Sequence, residues 1–249
     1  MLLCMMYHHI NSDKVSNSKD IFEKHLEYIA YKFNIVLPGD KLSSRKVNIC
    51  LFFDDAYFDF YYYIFPLLKK FNVRCVLSVP VKYILDNTDI NNNIRLNVNH
   101  NQIMKEDECK ISVPFCTWEE IKEMSDSGLI KVASHSYSHC SLLNKKTDIN
   151  FELLSSKKVI SGKIGEDVDV FVYPYGGFNS EIVREVQKYY RYNFAIGSIA
   201  NPNWNGVDGV MYRINADDLA DPISIFNRKN LLRYRFNFYK VKLKRWLKT

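Results

Sequence analysis

The sequence predicts an α/β fold built on a buried parallel sheet or barrel. Two observations carry that prediction. Seven short apolar runs recur along the 249 residues: LLCMMYHHI, VNICLFFDD, VRCVLSVP, IKVASHS, VFVYPYG, NFAIGS and VMYRIN. They are rich in Val, Ile, Phe and Tyr and lack polar alternation, as expected of strands buried on both faces. Helical patterns fill several of the gaps, and strand–helix alternation with polar strand ends argues for a site at one rim of the sheet.

The first run, MLLCMMYHHI, ends in His8 and His9. Adjacent residues on a strand face opposite ways, so only one of the two can turn towards a site. Both faces of the run are apolar, and hydrophobic pattern does not choose between them. IFEKHLEYIAYKF follows as a helix with Ile21, His25, Tyr28 and Ala30–Tyr31 near one face, and YYYIFPLLKKF follows the second strand. TWEEIKEMSDSGL carries a capping box, Thr117 with Glu120, and stops at Gly128. SEIVREVQKYY is expected to be capped in the same way by Ser180. Residues 84–112 are polar and Asn-rich, and break the rhythm as a long insertion over the site or the surface.

Composition is that of an ordinary globular chain, 47% hydrophobic and 25% charged. The six cysteines form no C-x-x-C pair, and Cys4, Cys50 and Cys75 fall inside strands, which suits buried thiols in a reducing compartment. The opening apolar run is too short and lacks the basic flank of a signal peptide, and no stretch is apolar enough to span a bilayer. A cytoplasmic chain is therefore expected. The net charge of +6 is uneven. Residues 222–249 hold nine Lys or Arg and no acid, leaving 25 basic and 28 acidic residues, or −3, for residues 1–221. The chain thus divides into a main domain, 1–221, and a basic tail, 222–249, and no nucleic-acid partner is expected of an acidic body without a binding motif.

Three strand ends carry chemistry. Asp54 and Asp55 close an apolar strand, where two carboxylates are costly unless something neutralises one; a helix cap with a spare acid is the competing reading. His135 and His139 follow another strand at i, i+4, a spacing that puts both imidazoles on one side of a helical turn within reach of one metal ion. With Asp55 they make a two-histidine, one-carboxylate set that leaves coordination positions open. Tyr173-Pro174-Tyr175-Gly176-Gly177 ends a third strand in a loop whose backbone N–H could serve an oxyanion, or in a plain tight turn.

F-D-D, then H-S-x-x-H, then Y-P-Y-G, in this order and with the stretches between them, resembles the polysaccharide deacetylase family, also called the NodB-homology or carbohydrate esterase family 4 domain. The likeness runs from about Met6 to about Asn215. It implies a distorted (β/α)7 barrel. It implies Asp54 as catalytic base, Asp55, His135 and His139 as ligands of a divalent metal (zinc first, with Co2+, Ni2+ or Mn2+ as alternatives), and the N–H of Tyr175 as an oxyanion donor. The implied reaction is hydrolysis of an N-acetyl group on a sugar. An acetamide is a poor electrophile, and a metal that lowers its water's pKa towards ~7 and polarises the carbonyl answers that difficulty.

The departures are specific. Phe52 and Ala56 stand where the family's first motif usually has Thr and Gly, and Val172 stands where an arginine often precedes the third motif. If the glycine position needs a positive φ, Ala56 is costly. Arg213 in MYRIN could bring the missing positive charge to Asp54, or form a surface ion pair. The histidine that donates the leaving-group proton in many members lies near the C-terminus, yet no histidine follows His139. The poly-N-acetylglucosamine deacetylase-like branch instead begins with Y-H-x-I, and Tyr7-His8-His9-Ile10 fits that register, selecting His8 as the general acid.

The tail can be drawn as a helix with Leu232, Phe236, Tyr239, Leu243 and Trp246–Leu247 on one stripe among basic residues. That suits peripheral contact with an anionic membrane at its inner face. The stripe packing on the barrel, or YKVKLKR forming a strand, are the alternatives. The expected substrate is an N-acetylated sugar, lipid-linked, nucleotide-linked or oligomeric, in surface glycan synthesis. A non-catalytic glycan-binding protein on the same fold, or a hydrolase of another amide such as a formamide, competes with that reading.

Overall fold

All seven predicted runs form strands. In the computed structural model, which describes residues 1–97 and 106–246, they are β1 (Leu2–Tyr7), β2 (Asn48–Phe53), β3 (Cys75–Val79), β4 (Ile130–Ser134), β5 (Val170–Val172), β6 (Tyr192–Ile196) and β7 (Met211–Asn215). Each pairs in parallel with its neighbour in sequence, and β1 pairs with both β2 (Cys4 opposite Cys50) and β7 (Cys4 opposite Arg213). The sheet therefore closes on itself as a seven-stranded barrel with helices outside, the NodB-type arrangement. Closure removes both edges of the sheet.

Alternation along the strands sorts two cores. Leu2, Cys4, Cys50, Phe52, Val76, Val172, Phe194 and Met211 fill the barrel. Leu3, Met5, Tyr7, Ile49, Leu51 and Phe53 face outwards, under the helices. All six cysteines are free, and Cys4, Cys50 and Cys75 are fully buried.

The outer layer includes α1 (Lys19–Lys32), α2 (Phe65–Phe71), α3 (Trp118–Asp126), α4 (Ile149–Ile164), α5 (Ser180–Tyr189) and α6 (Arg228–Trp246). Thr117 and Glu120 form the expected capping box of α3, and Gly128 follows its end with φ +72°. The cap of α5 is Asn179, one residue before the expected Ser180; its side chain accepts from Ile182 N–H. Helix α4 is not signalled in the sequence pattern. Glu152 and Ser156 sit among Leu153, Ile160 and Ile164 on its buried side while Phe151 is exposed, which blurs the apolar period. The polar insertion contains short helices at Asn92–Leu96 and Glu106–Ser112; the rest of its centre, 98–105, lies outside the described residues, as do Leu247 and the side chain of Trp246 in the tail stripe.

Candidate active site

Asp54 and Asp55 reach the same cavity because the chain changes direction at the end of β2. Asp54 continues the inward alternation of Asn48, Cys50 and Phe52, and its N–H is held by Tyr7 O at 2.9 Å. Asp55 should then face outwards. It does not, because Asp55 and Ala56 adopt φ of +68° and +52° and turn the chain back over the rim. The glycine position of the motif is thus a left-handed one, and Ala56 occupies it with no exposed surface.

Asp54 is enclosed by partners. Arg213 Nη1 donates to its Oδ1 at 2.6 Å, Ser78 Oγ donates to the same oxygen at 2.7 Å, and His8 Nε2 stands 3.9 Å from Oδ2. Burial works against its charge, but the charges of Arg213, His135 and His8 outweigh burial and hold the carboxyl at about 2. Arg213 itself is fully buried, so the surface ion pair is excluded for it. It reaches Asp54 from β7, two strands from Val172 on β5 where the family's usual arginine would stand, and lies over the Phe52 ring at 5.4 Å.

Asp55, His135 and His139 each offer one ligand atom, and these atoms lie within 4.8 Å of one another. His139 Nε2 is 3.1 Å and His135 Nε2 3.6 Å from Asp55 Oδ1. The donor set fits a divalent cation on two further counts. Asp55 Oδ1 is buried without a well-aligned hydrogen bond. His135 Nδ1 donates to Val172 O at 2.8 Å, which leaves its Nε2 lone pair facing Asp55. Burial lowers the His135 pKa to about 4, so the ring is neutral as a ligand must be. Burial likewise opposes charge on Asp55, yet His139 and His135 hold its carboxyl well below the usual carboxylate range.

The two histidines are not joined by a helical turn. β4 ends at Ser134, and residues 135–139 form a loop in which Ser136 and His139 have φ of +64° and +53°. The i, i+4 spacing brings the rings together, 4.8 Å between centroids, through this tighter path. Buried Glu152 at the start of α4 holds the loop: Tyr137 N–H and Ser138 N–H donate to its Oε2 at 2.9 and 2.8 Å, and Ser138 Oγ donates to Oε1.

His8 continues the inward alternation of Leu2 and Cys4 and faces Asp54. His9 points away, donates from Nδ1 to Asp59 at 2.9 Å and stacks on Tyr57. His8 Nδ1 donates to Asp217 Oδ2 at 2.7 Å, and its N–H to Oδ1 at 2.9 Å. Burial disfavours its charged form, but the Asp217 hydrogen bond and the charges of Asp54, Asp217 and Asp55 raise it to about 9. Tyr175 sits on the turn Pro174–Gly176 at φ +57°, with its exposed ring against His139. His8, Asp54, Asp55, His135, His139, Tyr175 and Arg213, with Val15, Tyr57, Tyr173 and Ile196, line a cavity of about 360 Å³. Sequence reasoning missed Asp217, Ser78, Tyr57 and Glu152. Asp217 alone carries a signal, an acid just past the polar end of β7.

The family model for polysaccharide deacetylase matches residues 41–195. Among curated proteins, YxkH of Bacillus subtilis (strain 168), provisionally named a polysaccharide deacetylase, is 24% identical over 223 residues, 85% of this chain and 68% of YxkH. Poly-beta-1,6-N-acetyl-D-glucosamine N-deacetylase of Escherichia coli (strain K12) is 24% identical over 178 residues, 60% of this chain; the aligned part is 25% of that protein. Among solved structures, the Streptococcus pyogenes deacetylase PplD superposes with a TM-score of 0.71 at 20% identity, covering 94% of this chain and 97% of PplD. That likeness shows the fold, and the family model, which spans more than half of the sequence, shows the kinship: the chain belongs to the polysaccharide deacetylase family.

Proposed function

We propose that the protein is a metal-dependent carbohydrate deacetylase that removes an N-acetyl group from an N-acetylated sugar. The observation that carries this reading is the meeting, in one cavity, of an ionised carboxylate, a protonated imidazole and a three-donor metal set. Asp54, held at about 2, stays ionised at neutral pH; His8, at about 9, stays protonated. Two groups whose environments push their pKa values apart are suited to base and acid roles.

In this reading Asp54 accepts the proton of the attacking water, and Arg213 and Ser78 fix the orientation of its carboxylate. The backbone N–H of Tyr175 is assigned to the oxyanion. His8 donates its Nε2 proton to the departing amine, with Nδ1 anchored on Asp217. A divalent cation held by Asp55, His135 and His139, zinc by donor type, would supply Lewis acidity at the carbonyl and at the water. The cavity is large enough for one sugar residue, and the Tyr175 ring offers an apolar face at its mouth.

The N-acetylglucosamine specificity of the E. coli relative, and the Y-H-x-I register, favour an N-acetylglucosamine-type substrate. The six free thiols support a reducing compartment, and we place the reaction in the cytoplasm, on a lipid-linked, nucleotide-linked or oligosaccharide intermediate of surface glycan synthesis. The test is acetate release from N-acetylglucosamine oligomers with zinc, cobalt, nickel or manganese added to chelator-treated protein. Release in the presence of metal, lost in Asp54→Asn and His135→Ala, is expected. Activity that survives either substitution sinks the mechanism.

A further inference from the structure

Helix α6 has two apolar faces, and only one is used by the barrel. On one side Tyr234 is buried, and Leu231, Phe238 and Val241 pack against the core. Ala200 N–H donates to Tyr234 O and Asn237 Nδ2 to Ser198 O, both at 3.1 Å, which fixes the helix beside the segment that follows β6. Leu232, Phe236, Tyr239 and Leu243 follow i, i+4, i+7, i+11, which puts them on one stripe about 180° from Tyr234 and Val241. They are 61%, 60%, 66% and 57% exposed. At about 100° per residue, Lys229, Arg233 and Lys240 border this stripe on one side and Arg228, Arg235 and Lys242 on the other. All six are exposed.

We propose that this face of α6 seats the protein on an anionic lipid bilayer. An apolar stripe between two rows of cations is the pattern of a helix lying in the membrane interface, with its apolar side chains among the acyl chains and its cations at the headgroups. Charge complementarity selects the occupant: residues 222–249 contain nine Lys or Arg and no acid, whereas the remaining body is net negative and would be repelled by the same surface. No described helix is long and apolar enough to cross a membrane, so the contact is one of lying on the surface. Ser198, which anchors the helix, is two residues past Ile196 in the cavity wall. The docking does not rest on the deacetylase reading, since its test reads binding alone.

The experiment is flotation of the full chain with phosphatidylcholine vesicles, with and without phosphatidylglycerol. The chain should float with the anionic vesicles, about tenfold less with the neutral ones, and be released by added salt. Phe236→Ser with Leu243→Ser, and separately Lys240→Glu with Lys242→Glu, should each lower the bound fraction about tenfold with an unchanged melting curve. The salt dependence of the unaltered chain serves as a readout that needs no variant. Absence of flotation, equal flotation on neutral vesicles, or unaltered flotation of both variants overturns the proposal. So does a dimer in sedimentation equilibrium that Phe236→Ser with Leu243→Ser dissolves while vesicles are ignored, because the stripe then covers a second copy of the chain.

Discussion

Asp217 grips His8 at both ends of its peptide-to-ring span, taking the Nδ1 proton at 2.7 Å and the backbone N–H at 2.9 Å. The pair joins the end of β1 to the segment after β7, which the barrel makes neighbours. Fixing Nδ1–H on a carboxylate leaves Nε2 towards Asp54 and the cavity. The same carboxylate keeps the imidazole charged. If His8 is the proton donor, turnover falls as pH rises through its pKa of about 9. Asp217→Asn removes a charge of the kind that shifts a partner by about 1–3 units, so the alkaline limb of kcat/KM should move to lower pH by about that amount. Bound metal, measured by elemental analysis, should not change.

The two adjacent histidines separate by role. His8→Ala should lower acetate release by a factor of about 10²–10⁴, the usual contribution of a general acid, with metal retained. His9→Ala removes a hydrogen bond to buried Asp59 and a ring stacked at 3.8 Å on Tyr57. Its cost should appear as about 1–3 kcal/mol of stability in urea unfolding, with turnover nearly intact. The reverse outcome would place the proton donor on His9.

Ala56 holds a left-handed conformation that disfavours any side chain with a Cβ. Ala56→Gly removes that strain and adds chain entropy to the unfolded state, two effects that oppose each other. The strain is the larger, at about 1–2 kcal/mol against about 0.4–1. The variant should therefore gain about 0.5–1 kcal/mol by denaturant midpoint at unchanged slope. A loss of stability would show that the Ala56 methyl group packs better than its backbone suffers.

What the sequence made legible follows from hydrophobic pattern and motif register. The seven barrel strands come from short apolar runs buried on both faces, a property of each strand alone, whereas the choice of His8 over His9 comes from the Y-H-x-I register, because both faces of that run are apolar. Arg213 and Asp54 are 159 positions apart, and the missing arginine before the third motif suggests Arg213 as its substitute, with a surface ion pair as the alternative; only the closed barrel brings the two side chains together. Glu152 and Ser78 were illegible because a buried carboxylate or hydroxyl has no pattern of its own; its meaning lies in which loop packs over it. The path from His135 to His139 was misread as helical because spacing constrains distance and leaves φ open.

His25 offers a pH test away from the metal set. Its Nδ1 donates to Pro222 O at 2.5 Å, so Nε2 accepts from Tyr7 Oη at 2.7 Å, and this second bond requires the neutral ring. Burial lowers its pKa to about 4. A folded pKa below the unfolded value of about 6.5 means that the unfolded chain binds the proton first. The contribution to stability is complete above pH ~6.5 and is lost as pH falls from there towards 4. At most about 3 kcal/mol is at stake. Urea unfolding between pH 7 and 4 should show a steeper loss for the parent than for His25→Gln. Parallel curves would mean that the imidazole is not held neutral.

Glu152 decides how firmly His139 is presented. Its carboxylate gathers three hydrogen bonds from Tyr137 and Ser138, between the two histidines proposed to hold the metal, and it is buried on the barrel side of α4. Without it, two loop N–H groups and a hydroxyl lose their acceptor, and the positive φ of His139 has less to enforce it. Ligand orientation by an outer group is commonly worth about 10–100-fold in metal affinity. Glu152→Ala should weaken zinc binding by that factor in a competition titration with a chromophoric chelator. Glu152→Gln keeps one carbonyl acceptor for the loop N–H groups and should recover much of the loss. Because Glu152 does not line the cavity, saturating metal should restore kcat in Glu152→Gln, whereas no metal concentration should rescue Asp54→Asn. A Glu152→Gln variant that binds zinc normally and is still inactive would contradict a positioning role and point to the loop's contact with substrate instead.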